Sequence, residues 1–95
     1  MTKYEIMYVI RPNLEEEGRN AVIETFNNAI TNNGGEIVES KAMGMRDLAY
    51  AIEDFTKGYY VVLTAALTKE AREEFNRLAN ISEDMIRYII VKEEA

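Results

Sequence analysis

The stretch MGMRDLAYAIEDFTKGYYVV, residues 43–62, sets two extended runs around one turn. In the first run Leu48, Tyr50 and Ile52 alternate with Asp47, Ala49 and Ala51, so they share a face, and parity makes Tyr50 a core residue. DFTKG, residues 54–58, supplies the turn, and a β-rich strand follows over residues 59–66. Upstream the extended run reaches back to Glu36, long for one strand, with Gly44 near its middle as a bulge or bend. A long hairpin is therefore the centre from which the rest is placed.

Before it, residues 3–10 alternate, with Tyr4, Ile6, Tyr8 and Ile10 on one face and Lys3, Glu5, Met7 and Val9 on the other. Arg11-Pro12-Asn13 ends that strand. Asn13 with Glu16 three residues later reads as a capping box, and Glu15, Glu16 and Glu17 suit the positive end of a helix running to about residue 33. Val22, Phe26, Ala29 and Ile30 form its inner stripe, and Asn32-Asn33-Gly34-Gly35 offers the left-handed residues that end it. After the hairpin, Thr68 caps a second helix ending near residue 80, with Ala71, Phe75, Leu78 and Ala79 turned inward. MIRYIIVK, residues 85–92, is the last strand, and Glu93, Glu94 and Ala95 form a short acidic tail.

Strand, helix, strand, strand, helix, strand predicts an α+β sandwich of ferredoxin-like type: a four-stranded antiparallel sheet with two helices on one face. At 95 residues the chain makes a single domain, 1–95. Having neither Cys nor His, it lacks disulfides, thiolate metal sites, imidazole acid–base groups and the usual nucleophile pairs. No cofactor, metal or small-molecule substrate is expected. The apolar run near the start is too short to cross a bilayer and is broken by Glu5, so a cytoplasmic protein with no membrane partner is expected.

Helices on one face leave the other to be explained. Placing Tyr4, Ile6, Tyr8, Tyr60, Val62, Tyr88 and Ile90 beneath the helices puts Met7, Val9, Tyr59, Val61, Leu63, Ile89 and Val91 on the open side, an apolar area at or beyond the few hundred Å² that monomers tolerate. Either the strand parity differs, or loops and the long hairpin fold over part of this face, or a protein partner covers it; the joint placement of these residues argues for the partner. KGYYVVL, residues 57–63, superficially resembles the strand on which RNA-recognition domains stack bases. Tyr59 fills the third position of that pattern but Val61 stands at the fifth, which leaves one stacking platform at most and favours another protein over splayed bases.

The motif Gly44-x-Arg46-x-Leu48-Ala49-Tyr50-x-Ile52, followed by Gly58-Tyr59-Tyr60, resembles the bacterial small-subunit ribosomal protein six family. KYEIMYVIRPNLEEE, NNGG and ISEDMIRYIIVK extend the resemblance over nearly the whole chain. It implies a ferredoxin-like fold, no catalysis, and a structural place in the central region of the small ribosomal subunit, where the family binds ribosomal RNA as a heterodimer with small-subunit ribosomal protein eighteen. It also reconciles RNA with 17 acidic against 11 basic residues and a formal charge of −6: a basic partner supplies phosphate neutralisation, and this chain adds a local cationic edge. Lys3, Arg46, Arg87 and Lys92 are the candidates for that edge. Arg46 belongs to the motif; the other three follow from placement. Asp47 and Met45 stand where relatives often carry basic residues, which lowers the positive charge of the hairpin. Arg72 and Arg77, near Glu70, Glu73 and Glu74, read as helix-surface pairs.

Two other classes are open to the same fold. A homodimeric metabolite-sensing module needs a Gly-rich anion loop or converging polar groups, and the chain has neither. An acylphosphatase-like hydrolase needs an Arg-bearing phosphate loop; Arg11 and Asn13 flank Pro12, with no glycines there to present backbone N–H groups.

Overall fold

The computed structural model describes residues 1–93, so Glu94 and Ala95 of the tail lie outside it. Six elements follow in the predicted order: β1 (Thr2–Ile10), α1 (Glu16–Thr31), β2 (Glu36–Ile52), β3 (Phe55–Leu67), α2 (Lys69–Ile81) and β4 (Met85–Lys92). The strands form one antiparallel sheet in the order β2-β3-β1-β4, the ferredoxin-like α+β arrangement, with β2 and β4 at the edges.

The core lies between the sheet and the helices. Ile6, Tyr8 and Ile10 of β1 meet Phe26 and Ile30 of α1 and Ala71, Phe75 and Ala79 of α2. Phe75 is the hub, with ring centroids 5.0 Å from Phe26, 5.9 Å from Tyr88 and 6.2 Å from Tyr8. The Tyr8 hydroxyl is buried there with no hydrogen-bond partner among the described residues, and burial pushes its pKa above the ordinary 10.0.

The register corrects the face assigned to β3. Leu63 stands opposite Ile6 and Val61 opposite Tyr8, and residues directly opposite in an antiparallel pair share a face. Tyr59, Val61 and Leu63 therefore point at the helices; Val61 and Leu63 are completely buried, and the Arg19 guanidinium of α1 stacks 4.5 Å above the Tyr59 ring. Tyr60 and Val62 take the open side instead. The run from Tyr59 to Leu63 is apolar at every position, so alternation carried no parity there.

Two local expectations also change. The N-cap of α1 is Glu15, without a side-chain cap bond; Asn13 Oδ1 accepts from Arg11 Nη1 at 3.1 Å, and Arg11 Nε meets Asp84 Oδ1 at 2.7 Å. The charge-assisted bonds of Arg11 take the Asn13 carbonyl away from the helix. The hairpin turn is Glu53-Asp54, both at positive φ (49° and 69°), with Ile52 opposite Phe55. That is the two-residue turn whose twist matches the strands, and it places residues 55–58 inside β3.

Other expectations stand. Thr68 Oγ1 accepts from the Ala71 N–H at 3.0 Å, capping α2, and donates to the Asn33 carbonyl at 2.7 Å, which ties the start of α2 to the end of α1. Gly34 leaves α1 at φ 84°. Gly44, at φ 91°, sits at the second of three register shifts in the β2–β3 ladder, which fall at Ile37/Glu39, Ala42/Gly44 and Asp47/Ile52.

Candidate functional site

The open face is built in rows across three strands. Val62, Met7 and Ile89 make one; Tyr60, Val9 and Arg87 make the next toward the hairpin; Thr64, Glu5 and Val91 make the next away from it. Ile89 and Val91 are 40% and 55% exposed, and β2 adds Met43 at 40% along the same side. Met7, Met43, Arg46, Tyr60 and Val62 line a shallow cavity of about 310 Å³. The centre of this face is apolar, and its charges stand at the margins.

One end of it is roofed by the chain itself. β1 stops opposite Tyr59, so the hairpin beyond that point has no third strand beneath it and curls over the open face. The Tyr50 hydroxyl, on one edge strand, accepts a 2.6 Å hydrogen bond from Arg87 Nη1 on the other, with the guanidinium 5.7 Å from the ring centroid. Val9 belongs to the open side as expected but is buried under this arm, only 2% exposed. Gly58 permits the approach: a Cβ there would overlap Val9 Cγ1. Between arm and sheet lies a concave cavity of about 150 Å³ lined by Met7, Leu48, Tyr50, Ile52, Tyr60 and Ile89 among others. Tyr50, assigned to the core by parity, is 61% exposed; the register shift between Asp47 and Ile52 breaks the alternation on which that assignment rested.

Of the apolar positions predicted for a partner, Met7, Ile89 and Val91 are presented on the open face, Val9 lies beneath the arm, and Tyr59, Val61 and Leu63 belong to the core. Tyr60, Val62 and Met43 were missed. No signal in the sequence separates the first two, because the close approach of Gly58 to Val9 that fixes their face exists only once β3 pairs with β1.

The four predicted cations are not one edge. Arg46 and Arg87 stand at the hairpin end of the open face; among the described residues Arg46 Nε reaches only the Met43 carbonyl, at 3.4 Å. Lys3 lies six residues back along β1 from Val9, roughly 20 Å away at the usual strand rise. Lys92, opposite Tyr4, is on the helix side of β4. Asp47 sits 4.0 Å from Lys57, so a lysine of the same hairpin faces its charge. On α2, Arg77 pairs with Glu74 through bonds of 2.6 and 2.9 Å, which hold the Glu74 carboxyl below its usual range. Arg72 has no ion pair among the described residues, contrary to the reading of it as a helix-surface pair.

Arg11, which a phosphate-cleaving loop would need free, is committed to Asp84. Among the described residues no three metal-ligating side chains converge, and no helix is long and apolar enough to cross a membrane.

The family described as Ribosomal protein S6 matches residues 3–92. The fold is similar to the crystal structure of 30S ribosomal protein S6 from Thermotoga maritima, with a TM-score of 0.91 at 29% sequence identity over 97% of this chain and 87% of that one.

Proposed function

This chain belongs to the ribosomal protein S6 family, a structural, non-enzymatic constituent of the small ribosomal subunit, and from that premise we propose that it works as half of a heterodimer with small-subunit ribosomal protein eighteen, the pair binding central-region ribosomal RNA. The working place is then the ribosome in the cytoplasm. One observation carries the partner: the apolar row of Val62, Met7 and Ile89, continued by Val91, lies on the sheet face that no helix covers. Burying it against a second protein removes that surface from water and sets the flanking Arg46 and Arg87 beside whatever the partner presents. A formal charge of −6 draws a basic partner and leaves most phosphate neutralisation to it. Joining two weak RNA contacts on one rigid body raises affinity beyond what either protein holds alone.

If Lys3, Arg46, Arg87 and Lys92 each meet a phosphate, this chain contributes about −3 to −4 to the slope of log affinity against log salt. The test is binding of a central-domain ribosomal RNA fragment across salt concentrations, with and without the basic partner. Retention only when both proteins are present supports the reading. Tight binding by this chain alone contradicts the division of labour, and a slope near zero for the pair removes both proteins from the RNA.

A further inference from the structure

The cations of this acidic chain divide into those already engaged and those left over. Arg11, Lys41, Lys57, Lys69 and Arg77 stand in ion pairs, and Arg19 and Arg87 are held against tyrosine rings. Among the described residues Lys3, Arg46, Arg72 and Lys92 have neither kind of partner. Arg46 is by the hairpin. The other three gather at the opposite end of the sheet, where β1 begins and β4 ends: Lys92 stands opposite Tyr4, and the Lys3 carbonyl accepts from the Glu93 N–H at 2.9 Å.

Arg72 and Lys92 line one recess of about 320 Å³ between α2 and β4, together with Tyr4, Asn76, Tyr88 and Ile90. Two like charges in one recess repel, and a shared anion relieves that repulsion. The walls are preorganised. Tyr88 packs edge-on against Phe75, and its hydroxyl reaches Asn80 Oδ1 at 3.3 Å. Lys3 continues the cationic line round the end of the sheet onto the open face. A compact anion in the recess would meet two cations, whereas a strand of phosphates leaving it toward the open face would meet three in succession.

We propose that the recess between α2 and β4 binds the phosphate backbone of an RNA strand, Arg72 and Lys92 each facing a phosphate. The proposal rests on the RNA-binding reading above and adds a contact on the helix side of the sheet. Both side chains are exposed, so their removal leaves the core intact. The experiment compares the heterodimer on the central-domain RNA fragment for wild type, Arg72→Ala, Lys92→Ala, the double variant, and Arg77→Ala as an exposed control on the same helix. Each single variant should weaken binding about equally across RNA sequences and reduce the salt slope by about 1, and the double variant by about 2, while Arg77→Ala leaves it unchanged. An unchanged slope in the double variant, with Arg46→Ala still lowering it, overturns this site and spares the RNA-binding reading. Failure of the wild-type pair to bind RNA overturns both. Cross-linking of Lys92 to the partner protein rather than to RNA would also overturn it.

Discussion

The two faces of the sheet carry similar side chains and meet different fates. On the helix side Ile6, Tyr8, Val61 and Leu63 are completely buried by the chain's own helices. On the open side Met7, Tyr60, Val62 and Ile89 are equally apolar in kind, yet only the hairpin arm reaches them, and it covers one end. The first face holds the monomer together. The second is left partly exposed by the monomer, and under the proposed function a partner covers it.

The sharpest break of that comparison is Phe75→Ala, which empties the hub of the aromatic cluster and should cost about 3–5 kcal/mol of unfolding free energy, measured by denaturant titration. Gly58→Ala comes next. Its Cβ overlaps Val9 Cγ1, so a loss of about 1–3 kcal/mol is expected, with partial recovery in the Val9→Ala background. If the second change gives no recovery, the arm is not seated on Val9. Tyr8→Phe acts in the other direction: removing a buried hydroxyl without a partner should stabilise the fold by about 1 kcal/mol.

The same group sets a pH dependence. Its pKa is raised in the folded state, so below the ordinary 10.0 both states keep the proton, and as pH rises above that value the unfolded chain ionises first and the fold loses stability. Stability should therefore fall in alkali, and Tyr8→Phe should flatten part of that fall in a series of unfolding curves. The smallest effect on folding belongs to the open face. Ile89→Ser should shift stability by less than about 1 kcal/mol while weakening the heterodimer at least tenfold by titration. A large loss of stability with intact pairing would reverse the roles of the two faces.

Sequence periodicity revealed element order, both helix stripes, the Thr68 cap and the Gly44 bulge, because each depends on contacts or dihedrals within a few residues. The parity of β3 was hidden, since five consecutive apolar residues fit either face and only pairing with β1 decides between them. Tyr50 was misplaced because alternation cannot count the extra residues that β2 inserts between Asp47 and Ile52. For the candidate site, Met7, Ile89 and Val91 were legible from alternation on β1 and β4. Which cations lie together was not: Lys92 and Arg72 are neighbours only because β4 passes beside α2.

The three register shifts along β2 have a bearing on the protein before it meets any partner. β2 is a 17-residue strand on an outer margin of the sheet, long enough to offer another copy a ladder of free amides and carbonyls. Slipping the pairing at Ile37/Glu39, Ala42/Gly44 and Asp47/Ile52 leaves no long regular stretch for such a copy to zip onto. Under the proposed function, a newly made chain can then wait with one greasy surface bare while its slipped rim disfavours stacking into fibrils.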